Sequence, residues 1–167
     1  LDFTRALLGV ETVPRAQVVG AHATLAVFGA VLTTVFGALY QLTTMFTQTE
    51  LDRLDRALAT FETVVFPVGV LALAAGRLTA NTSVARAGGL LVVASVATVG
   101  VVLARRLHAA RVPRTPMLSR YAVAAVGMAG WAVATLPRWL RSPLAFDARF
   151  GASFESLALF VVGFVVL

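Results

Sequence analysis

The chain reads as an all-α membrane protein: a transmembrane helical bundle with four full spans and a truncated fifth. Three observations predict it. Of 167 residues, 59% are hydrophobic and only 13% charged, against about 25% charged in an ordinary soluble domain. The charges gather in short runs, leaving apolar stretches of about 20 residues, the length that crosses a bilayer. Mean hydropathy is +0.86.

The elements follow in order as one domain over residues 1–167. Residues 1–16 mix apolar and charged positions, as an interfacial helix or the tail of an upstream span would. The first full span covers about 17–42. A polar stretch, TTMFTQTELDRLDR, follows it, and Thr49 or Glu50 is expected to open the next helix. The second span covers about 57–78 and the third about 84–103. TANTS between them is so short that the two must be antiparallel neighbours. The fourth span covers about 121–136. Pro137 is expected to stop or kink it, with Tyr121 and Trp139 as interfacial aromatics. An apolar segment at 154–167 reads as the opening of a fifth span. The start at Leu1 and the end at Leu167 inside an apolar run suggest a fragment of a longer protein.

The net charge of +6 and pI near 11.4 do not indicate a nucleic-acid binder. All 14 basic residues are Arg, and they are distributed over the segments between spans. Arginines so placed suit anionic headgroups. The expected partners are therefore the lipid bilayer and other transmembrane helices of the same or a partner chain, and the expected location is the cell membrane, multi-pass. The arginine count over alternate loops is tied. The dense acid-free linker RRLHAARVPRTPMLSR is placed in the cytoplasm. No cysteine is present, which removes disulfides, thiolate metal sites and cysteine nucleophiles.

Two positions could carry chemistry. On the first span, His22, Ala26, Gly29, Thr33, Gly37, Tyr40 and Thr44 lie within about 80° of one another on a helical projection. The opposite side holds Val27, Phe28, Val31, Val35, Leu39 and Leu42. This division predicts a bulky lipid-facing side and a small or polar side facing protein or a ligand. It fits plain helix packing, or a metal or haem ligand at His22 with Gly29 leaving room for a flat ring. On the second span, Glu62 lies about a turn and a half in, and Gly69 and Gly76 continue its face. An ionisable residue inside a span usually belongs to a proton path or a partner contact; a late helix start would instead make it an interfacial anchor. Pro67 frees the Thr63 carbonyl. Gly88 and Ser95 on the third span, and Gly127, Gly130 and Ala134 on the fourth, read as packing stripes. His108 reads as a solvated loop residue. Asn81-Thr82-Ser83 fits a glycosylation pattern but sits too close to the membrane for use.

AHATLAVFG at 21–29 followed by GALYQL at 37–42 resembles a helix of the catalytic subunit of haem–copper oxidases and nitric oxide reductases. The resemblance places the family's first histidine on His22, its glycines on Gly29 and Gly37 and its tyrosine on Tyr40. Its second histidine falls on Thr24. Elsewhere the likeness is only hydrophobic. His22 and His108 are the only histidines, too few for a copper–haem centre, so this segment cannot itself reduce oxygen or nitric oxide. The resemblance still implies one b-type haem at His22, for electron transfer or gas sensing, with an axial ligand elsewhere; Met128 and Met45 are conceivable thioethers. The rival readings are a proton or small-solute transporter segment using Glu62, and a ligand-free scaffold.

Overall fold

The computed structural model describes residues 13–113 and 115–144. The expected fifth span at 154–167 and the expected interfacial segment before Val13 lie outside the described residues. Among the described residues, four helices are long and apolar enough to cross a membrane: α1 (Arg15–Thr47), α2 (Arg53–Leu78), α3 (Thr82–His108) and α4 (Pro116–Arg141). At about 1.5 Å per residue, even the 26-residue helices reach about 39 Å. They run up and down as a bundle, with α3 in contact with the other three.

The helices are longer than the apolar stretches that mark them, because capped polar ends extend each one. Asp52, not Thr49 or Glu50, caps α2, its side chain accepting from the Asp55 N–H at 2.9 Å. Asn81 caps α3 in the same way through the Val84 N–H at 3.1 Å. Thr115 caps α4, with Pro116 in the first turn where no N–H is needed. Between α2 and α3 the chain reverses through Ala80 at φ 53°, and the Asn81 N–H donates to the Gly76 carbonyl at 2.8 Å. The antiparallel hairpin expected from TANTS is present.

Within α1, Leu25–Leu32 winds as a π-helix. Pro137 does not stop the fourth helix, which continues to Arg141. Only one intrahelical bond is lost to a proline near a helix end, and Trp139, buried beyond it, anchors the last turn. Tyr121 and Trp139 are buried within the bundle, at 4% and 2% exposure. Trp139 meets Phe28 and Trp131 edge-on at 5.6 and 5.7 Å between ring centroids, joining α1 to α4.

The closest packing is between α2 and α3. A Cβ added at Gly69 would lie 2.8 Å from Leu91 Cβ and 3.0 Å from the Val92 nitrogen. One added at Gly88 would fall on the Leu73 backbone, and one at Gly76 on Ala85. Close backbone approach across small residues is how membrane helices associate where lipid removes the hydrophobic drive. Gly88 and Ser95 are buried as the packing reading expects, and Gly127 is buried on α4.

The expected division of α1 is reversed at several positions but not throughout: Val31 of the bulky side is exposed, and Gly29, Tyr40 and Thr44 of the small side are half-buried. Phe28, Leu32, Phe36 and Leu39 face the bundle and are fully buried. His22, Ala26, Thr33 and Gly37 are exposed on its outer surface. The groove left beside α2 and α3 is wide, and large side chains fill it better than small ones. A Cβ added at Gly37 would meet nothing within 4 Å.

Gly88→Val should therefore lower stability by about 1–3 kcal/mol, the usual range for overpacking, whereas Gly37→Ala should leave it unchanged or raise it slightly. Thermal unfolding in detergent, followed by circular dichroism, compares the two.

Candidate functional site

Placing an ion in hydrocarbon carries a large desolvation penalty, so buried charges in a bundle like this mark where the structure supplies partners. Among the described residues three such places occur, all involving α2.

At the end of the bundle where α1 turns into α2, Asp55 is fully buried. Arg105 Nε and Arg106 Nη2 reach its two carboxylate oxygens at 2.7 and 2.6 Å. The same arginines grip Asp52 at 2.7 and 3.1 Å, and Arg106 Nη1 donates to the Glu50 carbonyl at 2.6 Å. The Arg111 N–H donates to the Thr47 carbonyl at 3.2 Å, tying the next connector to the end of α1. Two arginines at the end of α3 thus clamp the α1–α2 connector.

At the opposite end, Arg77 is buried at 2% exposure. Its Nη1 donates to Thr24 Oγ1 at 2.6 Å, its Nε donates to the Pro143 carbonyl at 3.2 Å, and its guanidinium lies 5.6 Å from the Trp139 ring centre. The Thr24 hydroxyl in turn donates to the Gly20 carbonyl at 2.6 Å. The position to which the resemblance assigns a second histidine is therefore occupied by a buried threonine that holds an arginine.

Between these ends lies Glu62, buried at 5% exposure. It follows Asp55 by seven residues, about 10 Å along the helix axis, whereas Arg77 follows Asp55 by about 33 Å. The length of that interval is close to the thickness of a hydrocarbon layer, about 30 Å. The Tyr40 hydroxyl of α1 is buried beside the Glu62 carboxyl and interacts with it, and Asp55 lies within electrostatic range of Tyr40. That hydroxyl closes no hydrogen bond of ordinary geometry. Tyr40 also lines a small, largely apolar pocket of about 10 Å³ with Thr43, Val99, Val102, Leu103 and Arg106. This is about the volume that accepts one water.

The other sequence-derived positions are not gathered here. His22 is exposed on α1, at the Arg77 end of the bundle. Gly29 is half-buried, its added Cβ 3.6 Å from Val70, and only Tyr40 of the group joins Glu62. His108 closes α3 at the opposite end from His22. Met45 is exposed, and Met128 is buried at mid-bundle near Gly100. Among the described residues, no group of three or more His, Cys, Asp or Glu is placed to hold a metal ion. A haem on His22 would lie on the outer surface of α1, and the described residues do not enclose it.

Sequence reasoning missed Asp55, Arg105, Arg106 and Arg77. One signal was present: Asp55 precedes Glu62, Gly69 and Gly76 at the same seven-residue step, on the buried face of α2.

Asp55→Asn should destabilise the bundle by about 3–5 kcal/mol, the scale for removing one partner of a buried ion pair, read as the shift of the denaturation midpoint in detergent. At Asp52 the Asp55 backbone N–H, followed by the charges of Arg105 and Arg106, holds the carboxyl below the usual aspartate range. Its stabilising contribution is complete above the unfolded aspartate value of about 4 and is lost as pH falls through the lower folded value. Protease cutting of the α1–α2 connector should thus stay constant down to about pH 4 and rise below it. Asp52→Asn should remove much of that pH dependence while keeping the helix cap. Comparison with known proteins finds no matching family model, no matching curated protein and no matching solved structure.

Proposed function

We propose that this chain is a multi-pass domain of the cell membrane that binds and releases a proton at Glu62, as part of proton movement or proton-coupled movement of a small solute. The carrying observation is the buried Glu62 carboxyl beside the buried Tyr40 hydroxyl, between the two charged ends. Buried carboxyls within membrane spans are unfavourable as anions and are characteristic of proton relays and substrate paths. A carboxyl held against a phenol, with no arginine as its direct partner, can exchange its proton without breaking an ion pair. The ion pairs are gathered instead at the end of the bundle, where they fix the helices around the site. We place that arginine-rich end in the cytoplasm, in keeping with the positive-inside tendency.

In proteoliposomes carrying a pH gradient, Glu62→Gln should abolish the protein-dependent proton flux and Tyr40→Phe should reduce it. Flux unchanged in Glu62→Gln would remove this reading. His22→Ala should leave the flux intact. The haem implied by the sequence resemblance has a separate test: a Soret band in the haem-supplemented protein that disappears in His22→Ala would move the function to the outer face of α1.

A further inference from the structure

We infer that the clamped end of the bundle carries a binding site for the phosphodiester of an anionic phospholipid headgroup, with Arg56 and Arg111 as its contacts. A cavity of about 590 Å³ opens there between the end of α1, the start of α2 and the end of α3. It is lined by Arg56 of α2, Arg106 of α3 and Arg111 of the connector after α3, with Glu50 and Asp52 from the α1–α2 connector. The site shares no residue with the Glu62–Tyr40 pair and does not depend on proton exchange there.

The charges of this cavity are unequally satisfied. The Asp52 carboxylate is held by Arg105 and Arg106 at 2.7 and 3.1 Å, and the buried Asp55 takes the same two arginines. Arg106 is 7% exposed, and its two Nη atoms are engaged by Asp52, Asp55 and the Glu50 carbonyl. It therefore lends positive potential from a buried position. Arg56 and Arg111 are exposed, and neither guanidinium has an ion pair among the described residues. Arg56 also stands early in α2, where the helix dipole disfavours a cation. Three arginines and two carboxylates line the cavity, one positive charge in excess. A phosphodiester carries one negative charge, whereas a phosphate monoester carries about two near neutral pH. Planar guanidinium forks suit phosphate oxygens, and the exposed Glu50 carboxylate disfavours the more highly charged group.

Position makes the source a membrane lipid. The Asp55 end closes an interval of about 33 Å along α2, close to the roughly 30 Å of a hydrocarbon layer, which sets the cavity at the level of lipid phosphates. On the outer surface of the same end, Met45, Leu54 and Phe61 are about half exposed and offer apolar cover to acyl chains. A headgroup held by Arg56 and Arg111 joins α2 to the connector after α3, reinforcing from outside the clamp that Arg105 and Arg106 make from within.

A ligand held by the folded bundle stabilises it by mass action, so the denaturation midpoint of delipidated protein in uncharged detergent reads the site. Dihexanoyl phosphatidylglycerol should raise the midpoint saturably, and dihexanoyl phosphatidylcholine at the same concentrations should raise it much less. Arg56→Gln with Arg111→Gln should increase the half-saturating phosphatidylglycerol concentration by about tenfold or more, as loss of charge-assisted hydrogen bonds does. Arg53→Gln with Arg120→Gln removes equal charge from exposed positions at the same end, outside the cavity, and should leave the effect unchanged. No rise with phosphatidylglycerol, a rise that survives in the Arg56/Arg111 pair, or an equal fall in both pairs would overturn the site. Equal rises with the two lipids would overturn recognition of an anionic headgroup. The same rise with inorganic phosphate would overturn the lipid as its source.

Discussion

The close approach of α2 and α3 governs the rest of the bundle. In lipid, helices gain nothing by hiding apolar surface from one another, so contact must come from packing itself. Gly69, Gly76 and Gly88 bring the two backbones together so tightly that an added methyl at any of them would meet backbone or Cβ atoms of the facing helix. A joined pair of this kind offers a narrow ridge with a groove on each side. In one, α4 is seated by Trp139, whose ring lies against Gly89. In the other, α1 inserts its phenylalanines and leucines. Much of the small-residue side of α1 is then left outside, because the small residues that bring helices together have already been used between α2 and α3.

Charge sets the second constraint. Asp55 and Arg77, on the same helix, are both buried, and each is placed at one end of the apolar interval with partners from other elements. Arg105 and Arg106 come from the end of α3, Thr24 from α1 and the Pro143 carbonyl from beyond α4. The two clusters therefore fix the axial positions of helices whose apolar side chains alone would let them slide. They also define depth. Glu62 lies between them, which gives its carboxyl a different meaning from a charge at a helix end. It is buried between the two charged ends, beside a phenol.

The asymmetry of the interior follows from both constraints. Where the α1–α2 connector is clamped to α3, Asp55 and Arg106 are buried just inside the surface. Past Phe36 and Phe66, the described interior is mostly branched aliphatic and aromatic, with the hydroxyls of Thr135 and Thr24 buried among these side chains.

Some of this was written in the sequence. Apolar length and the scarcity of charge determine that the helices cross a bilayer, because backbone groups in hydrocarbon must be satisfied within each helix. The short TANTS connector determines the hairpin, and the seven-residue step through Glu62, Gly69 and Gly76 marks the face that packs. Caps at Asp52, Asn81 and Thr115 explain why the helices outrun their apolar stretches. What the sequence could not determine was which face of α1 turns inward, since bulky and small faces both pack and the choice belongs to the groove the neighbours leave. Nor could it show that Asp55 meets arginines about fifty residues away, that Thr24 holds Arg77, or that Trp139 lies in the core. Those are contacts between elements distant in the chain, and only the tertiary packing brings them together. Glu62 stood out by its type alone; its burial and its phenol came from the fold.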